Sequence, residues 1–387
     1  MRLLLVIPKL VSYRSFLREL CQSLAAEGAE IHIACSREKL WGEDVSPAED
    51  GVQLHGIEFP RGMNPARHVR AARELDRLVA ALEPDLVHAH FSAAIFTTAL
   101  AHTSRWPTTF ATFHGVSFLA MSGWKAALLR IAETWAARQF DSVSVLTDDD
   151  RDGLQAAASD AVVERLPGFG LGCDLEKFAP VSARTRETLR TKLGIESGQV
   201  VFAFVGRFTE FKGFGLTARA FLQLAQTDPR VRLLLIGSRD RLHPTGLSAA
   251  EEQALKASPQ VIAAGFRTDV ESCLAAADVM VFPSRREGMP VCLMEALALG
   301  VPAITADTRG CRDVVRDGID GLVLRDCAIE SLSAAMRRVV GDENLRRTWS
   351  TRALADRDRF SREHFIAVQK RIYEAAAPAP RAEALSS

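Results

Sequence analysis

Glu287 and Glu295 stand with seven residues between them in the segment Ser284-Arg285-Arg286-Glu287-Gly288-Met289-Pro290-Val291-Cys292-Leu293-Met294-Glu295-Ala296. The segment reads as the end of a strand at Phe282-Pro283, a turn holding Glu287 and Gly288, and a helix starting near Pro290, since proline suits the first helical turn. The exposed N–H groups of such a turn form an anion site, and glycine lets a ligand approach the backbone. Glu295 falls about one and a half turns into the helix, where its carboxylate can accept hydrogen bonds from two sugar hydroxyls. Spacing alone equally allows Glu295 to close a structural network and Glu287 to be a solvated loop acid. A second segment, Val205-Gly206-Arg207-Phe208-Thr209-Glu210-Phe211-Lys212-Gly213, follows another apolar run. An arginine and a lysine in one glycine-flanked loop can converge on a diphosphate, the first as a fork and the second as a point charge. No Gly-Lys-Ser/Thr occurs, so this is not a Walker loop. The third segment is Thr112-Phe113-His114-Gly115-Val116, which puts a histidine beside a glycine at the end of a third apolar run. A lone histidine there is also compatible with a structural role.

The elements that must position these residues alternate along the chain. Strands are expected at Leu3–Ile7, Ile31–Cys35, Leu86–His90, Thr108–Phe113 and Ser142–Leu146, with helices over Ser15–Glu27 and near 67–82, 92–102 and 124–138. The pattern restarts after a glycine-rich stretch closed by prolines, residues 165–180. Strands then follow at Val200–Val205, Leu233–Ile236, Val261–Ala264, Val279–Phe282, Pro302–Thr305 and Leu322–Leu324. Helices are expected near 215–227, 269–276, 292–299 and 329–340. Such alternation implies parallel sheets covered on both faces, with ligands beyond the carboxyl ends of the strands. The expected organisation is an α/β chain of two doubly wound, Rossmann-like domains facing a central cleft. Residues 1–165 make the first domain, 166–180 a linker and 181–358 the second domain. A helix over 359–376 crosses back to the first domain, and 377–387 form a mobile tail.

Taken together, the three segments resemble the retaining glycosyltransferases of family 4, which have the GT-B fold. Glu287 and Glu295 look like the family's paired glutamates, and Gly206-Arg207 with Lys212-Gly213 looks like its diphosphate loop. His114-Gly115 matches its first-domain histidine, and Gly168–Pro180 is similar to the segment joining its domains. Glu287-Gly288-Met289-Pro290-Val291, followed by Asp307-Thr308-Arg309-Gly310-Cys311-Arg312-Asp313-Val314-Val315, resembles a bacterial branch. That branch builds capsule, O-antigen and N-glycan precursors on undecaprenyl diphosphate, with several members using UDP-sugars. The resemblance implies a nucleotide-sugar donor whose diphosphate is bound by Arg207 and Lys212. The N–H groups of Met289, Val291 and Cys292, around Gly288 and Pro290, would add to this. Glu287 would contact the donor sugar, Glu295 the ribose, His114 the donor sugar from the first domain, and Arg267 the nucleobase region. It also implies retention without a protein nucleophile, a diphosphate oxygen accepting the acceptor's proton. GDP-mannose-dependent transfer and a catalytically silent glycan-binding relative are the alternatives within the fold.

Where the family often has a glycine-rich loop after its first strand, this chain reads Pro8-Lys9-Leu10-Val11-Ser12-Tyr13-Arg14-Ser15. A loop there would offer Lys9 and Arg14 to an acceptor phosphate, or leave them as surface residues. Asp148-Asp149-Asp150 contains an Asp-x-Asp pattern but precedes a helix start, where acids favour the dipole, so no metal or other cofactor is expected. Met121–Phe140 carries Trp124, Leu128, Leu129, Ile131 and Trp135 with Lys125, Arg130 and Arg138. This suits either an anionic membrane interface or packing on the first sheet. The arginines of Arg61–Arg77 read either as a site for anionic head groups or an acceptor diphosphate, or as a solvated face.

Composition narrows the partners. The 387 residues hold 48 basic and 48 acidic side chains, which argues against a nucleic-acid binder. Residues 1–165 carry 17 basic and 21 acidic residues and the remainder 31 and 27, so the half assigned the diphosphate is the positive one. Seven cysteines without a CxxC pair fit reduced thiols. With no long apolar run, a cytoplasmic enzyme is expected, peripheral at the inner face of the cytoplasmic membrane if its acceptor is glycan on polyprenyl diphosphate. A nicotinamide-type Rossmann enzyme is disfavoured, because Gly168, Gly170 and Gly172 lie in the linker rather than between a first strand and helix.

Overall fold

The computed structural model describes residues 1–36, 48–49, 51–60, 62, 64–240 and 242–377. The chain divides into two compact units, Met1–Gly170 with the segment from His364, and Leu171–Glu363. Both are α/β units built on parallel sheets.

The strands of the first unit are β1 (Arg2–Lys9), β2 (Glu30–Ser36), β3 (Ala48–Glu49), β4 (Val52–Gly56), β5 (Leu86–His90), β6 (Thr108–Phe113), β7 (Ser142–Val145) and β8 (Val163–Arg165). They order as β3-β4-β2-β1-β5-β6-β7-β8, and only the two-residue β3 runs antiparallel. Leu3, Leu4, Leu5, Val6 and Ile7 are all fully buried, as a strand covered on both faces requires. The second unit contains β9 (Val200–Val205), β10 (Val231–Ile236), β11 (Val261–Gly265), β12 (Val279–Phe282), β13 (Ala303–Ala306) and β14 (Gly321–Leu324), ordered β11-β10-β9-β12-β13-β14. The order reverses between β1 and β5 in the first sheet and between β9 and β12 in the second. Open sheets bind ligands at such reversals, beyond the carboxyl ends of the strands.

Several expectations are corrected. No loop separates β1 from the first helix: β1 runs to Lys9 and the helix Leu10–Phe16 starts at the next residue. Leu10 and Tyr13 are buried, which holds the Pro8–Ser15 stretch in regular structure and leaves Arg14 on a helix rather than in an entry loop. The helix expected over Ser15–Glu27 is two helices, Leu10–Phe16 and Arg18–Ala26, broken at Leu17. Part of the expected linker belongs to the second unit, because Cys173 N–H donates to the Phe360 carbonyl at 2.8 Å. A Cβ on Gly172, which has φ +60°, would stand 2.8 Å from Arg362 backbone atoms, so glycine is required there. The last helix, Arg362–Ala376, packs in the first unit from His364 onward: Tyr373 is fully buried and its hydroxyl reaches His88. Arg61 and residues 378–387 of the expected tail lie outside the described residues.

Candidate active site

In the second unit, the two strands flanking the reversal each deliver one half of a charged cluster. The loop after β9 carries Lys212 in a single 3-10 turn, Glu210–Lys212, closed by Gly213 at φ +78°. A Cβ on Gly213 would lie 2.4 Å from the Pro283 carbonyl oxygen, so this glycine lets the β9 loop lie against the end of β12. The stretch after β12 carries Glu287. Lys212 Nζ donates to both Glu287 oxygens, at 2.6 and 2.8 Å. Ser284 Oγ donates to Glu287 Oε1 at 2.6 Å, and Arg285 N–H ties the stretch to the Phe211 carbonyl at 2.8 Å. The Glu287 side chain is 8% exposed and that of Lys212 20%, so the pair is shielded but still reaches the surface.

Directly beyond Glu287 begins the helix Val291–Ala298, with Pro290 as its N-cap rather than its first helical residue. Proline offers no side-chain acceptor, and the first turn holds no acid. The positive end of this helix is therefore not neutralised by its own side chains, the condition that favours an anion. Gly310 lies so close to Gly288 that a Cβ on it would collide with the Gly288 carbonyl oxygen.

Glu295 lies in the same helix, half-buried, with no hydrogen-bond partner among the described residues. Burial pushes its carboxyl up to about 7, with Arg362 and Lys177 partly opposing the rise. Two hydroxyl donors would favour the charged form again.

Arg207 and Lys212 are not brought together. Arg207 pairs with Asp240 and stacks 5.5 Å from the centre of the Phe211 ring, while Lys212 pairs with Glu287. Both sit in one loop, but the arginine, half exposed, points toward the end of β10. Arg267, after β11, is forked onto its neighbour Asp269 at 2.7 and 2.6 Å and is exposed.

In the first unit, His114 follows β6 in the turn His114-Gly115-Val116. Two buried acids hold that turn. Asp150 Oδ1 accepts from Val116 N–H at 2.9 Å, and Glu133 accepts from the N–H groups of Ser117 and Phe118 at 3.1 Å each. Asp150 thus belongs to the protein scaffold at the start of the helix Asp148–Ala157, and its other oxygen accepts from the Thr147 hydroxyl. Sequence reading missed Glu133 as a loop anchor, since it sits in a stretch otherwise apolar and basic. It also missed the histidines of β5. His90 Nδ1 lies 3.0 Å from His114 Nε2, and His88 packs on His90 with ring centres 4.0 Å apart. The alternation His88-Ala89-His90 was the available signal. Burial drives His88 and His114 down to about 3 and His90 well below its usual value, so all three are neutral.

The helix Gly123–Ala137 occupies most of Met121–Phe140 and packs one side on the first unit's core. Ala136 and Ala137 face the core, but Trp124 is 72% and Ile131 69% exposed, with Leu128 and Trp135 also exposed. These four fall at i, i+4, i+7 and i+11, one stripe of the helix, beside exposed Lys125 and Arg130. Among the described residues no helix is long and apolar enough to cross a membrane.

Two parallel-sheet, Rossmann-like domains with a charged cluster at the strand-order reversal of the second define a GT-B glycosyltransferase, and comparison with known proteins agrees. Residues 185–356 match the model of the glycosyl transferases group 1 family, and residues 13–167 match that of the glycosyl transferase 4-like domain. The chain belongs to this family of glycosyltransferases. Among its relatives, it is 27% identical to the putative glycosyltransferase EpsD of Bacillus subtilis over 321 residues, covering 81% of this chain and 79% of that one. It is 26% identical over 330 residues, 83% of each chain, to the Escherichia coli UDP-Gal:alpha-D-GlcNAc-diphosphoundecaprenol alpha-1,3-galactosyltransferase. The sucrose-phosphate synthase structure from Thermosynechococcus elongatus shares the fold, with a TM-score of 0.80, 18% identity and coverage of 97% of this chain and 99% of that one.

Proposed function

We propose that this glycosyltransferase moves a hexose or N-acetylhexosamine from a UDP-sugar to a glycan carried on polyprenyl diphosphate, with retention at the anomeric carbon. The observation that carries the donor side is the Lys212–Glu287 pair at the strand-order reversal, set against an uncapped helix N-terminus. A diphosphate competes for Lys212 and for the helix N–H groups of Val291 and Cys292, with that of Met289 just before them. Glu287 is left to accept from sugar hydroxyls. Glu295 accepts from the ribose hydroxyls. Arg207 adds positive potential at the mouth of the loop, and Arg267 lies toward the base. The bond from the anomeric carbon to the β-phosphate oxygen breaks as the acceptor hydroxyl oxygen bonds to that carbon. The hydroxyl proton passes to the departing phosphate oxygen, and Lys212 and the helix terminus stabilise the charge of UDP. No metal or other cofactor is required by this scheme.

The galactosyltransferase named above acts, by its name, from UDP-galactose onto a diphosphoundecaprenol-linked sugar, which supports both substrate classes. On the first unit, the stripe of Trp124, Leu128, Ile131 and Trp135 flanked by Lys125 and Arg130 suits the surface of an anionic bilayer in which such an acceptor resides. The protein then works as a peripheral enzyme at the cytoplasmic face. The test is incubation with UDP-, GDP- and ADP-sugars and a short polyprenyl-diphosphate-linked N-acetylhexosamine, with products read by mass spectrometry and anomer by NMR. A retained-configuration product from a UDP-sugar is expected. Transfer from GDP-mannose alone, an inverted product, or no product from any donor would overturn the proposal.

A further inference from the structure

We propose that His90 is a positioning residue that fixes His114 as the tautomer protonated on Nδ1, so that His114 offers a substrate oxygen a neutral N–H donor. The inference rests on the reading of His114 as a substrate contact, but its central observable does not depend on that reading.

One buried ring nitrogen in the first unit is orphaned. His90 is 1% exposed, and its Nε2 is buried with no partner among the described residues. Its Nδ1 lies 3.0 Å from His114 Nε2. Both rings are neutral, because burial disfavours the charged form of each. One proton therefore lies between the two nitrogens, and it belongs to one ring or the other. If it belonged to His114, His90 would carry its own proton on Nε2, leaving an N–H buried without an acceptor. If it belongs to His90 Nδ1, the orphan is a bare ring nitrogen. Unpaired buried N–H groups are the rarer defect in proteins, and an unmade donor bond in a low-dielectric interior is costly. The second arrangement is favoured, so His90 donates to His114 Nε2, and His114 must hold its proton on Nδ1. No described protein group pairs with His114 Nδ1, and it is not among the buried unpartnered atoms.

The surroundings hold both rings in this geometry. His88 packs on His90 with ring centres 4.0 Å apart. It is tethered at both ends, Nδ1 to the Tyr373 hydroxyl at 2.6 Å and Nε2 to the Thr112 hydroxyl at 2.8 Å. Tyr373 comes from the last helix, so that helix braces the chain of rings. On the other side Phe91 stacks on His114 with centres 4.0 Å apart and planes at 18°. Phe91 achieves this at φ +68°, a conformation that L side chains rarely adopt and that the surrounding structure must stabilise. The outcome is an imidazole with one defined donor edge. It discriminates for a ligand oxygen with an available lone pair, a sugar hydroxyl or ring oxygen, over a ligand N–H at that position.

The test uses the full chain labelled with 15N-histidine and long-range proton–nitrogen correlation of the imidazoles, assigned with a His114→Gln control. Protonated Nδ1 and unprotonated Nε2 on His114 are expected, and the reverse overturns the proposal. Asparagine places an amide donor where His90 Nδ1 stands, whereas phenylalanine has none. His90→Asn is expected to keep the tautomer and most of kcat. His90→Phe is expected to shift His114 toward Nε2–H and to lower kcat by about 10²-fold. Equal kcat in the two variants, both folded by circular dichroism, would also overturn it. Should the tautomer be as expected while no nucleotide sugar is used, the proposed function fails and the assignment of His90 stands.

Discussion

The carboxyl ends of the two sheets have been given opposite kinds of polarity. At the first, three imidazoles, His88, His90 and His114, are neutral and hydrogen-bonded to neutral partners, His88 to Tyr373 and His90 to His114. At the second, formal charges face each other, Lys212 on Glu287 and Arg207 on Asp240, with Glu295 held back from ionising by burial. Charge placed where a diphosphate departs does work that a neutral group cannot. Neutral groups placed against a sugar give direction without competing for that diphosphate. Under the proposed function the charge for the donor diphosphate falls to the second unit, while the first carries oriented imidazole hydrogen bonds and, on the helix Gly123–Ala137, an exposed apolar stripe.

The largest effect that can break this division is at Lys212. Lys212→Ala is expected to lower kcat/KM by about 10²- to 10³-fold, read in a steady-state transfer assay. Arg207→Ala, which removes a half-exposed group already engaged by Asp240, should cost about tenfold. Equal losses at the two positions would show that both bind the diphosphate in the same way.

The two regions also respond to pH with opposite sign. The histidines have folded values below the ordinary 6.5, so as pH falls below about 6.5 the unfolded chain binds protons that the folded chain refuses. Stability is lost as the solution is acidified. Tyr373→Phe and His90→Asn leave or remove one member each, and thermal melts from pH 7 to 5 should show a shallower loss for His90→Asn only. Glu295 runs the other way. Its folded value of about 7 exceeds the ordinary 4.5, so the unfolded chain gives up its proton first and stability falls as pH rises between about 4.5 and 7. Glu295→Gln is expected to flatten that part of the melting profile. An unchanged profile would mean that the carboxyl is not perturbed. The smallest effect concerns the outer helix. Trp124→Ser with Ile131→Ser should reduce sedimentation with anionic liposomes while leaving the melting temperature within about a degree, because exposed side chains contribute little to the core.

Much of this was legible in the residues. Continuous apolar runs such as Leu3–Ile7 and Val200–Val205 announce strands buried on both faces, and they are. Short elements were not legible: Val52–Gly56 and Val163–Arg165 at the sheet's margins alternate with polar residues, and helices Ala183–Lys192 and Ala249–Ala257 lack a wide apolar face. The break at Leu17 was also hidden, since the apolar spacing carries across it. For the site, the positions of Lys212 and Glu287 followed from the loops after β9 and β12, but their pairing did not, because strand order is a long-range property. The divergence of Arg207 toward Asp240 and the support of the His114 turn by Glu133 and Asp150 likewise depend on partners 33, 16 and 34 residues away.

The central claim, that the second unit recognises a nucleotide diphosphate through Lys212, is tested most directly by calorimetric titration of UDP and of uridine into the full chain and into Lys212→Ala. UDP is expected to bind the natural protein well over tenfold more tightly than uridine, and the preference is expected to collapse in the variant. A folded Lys212→Ala protein that keeps the full preference for UDP would contradict the account.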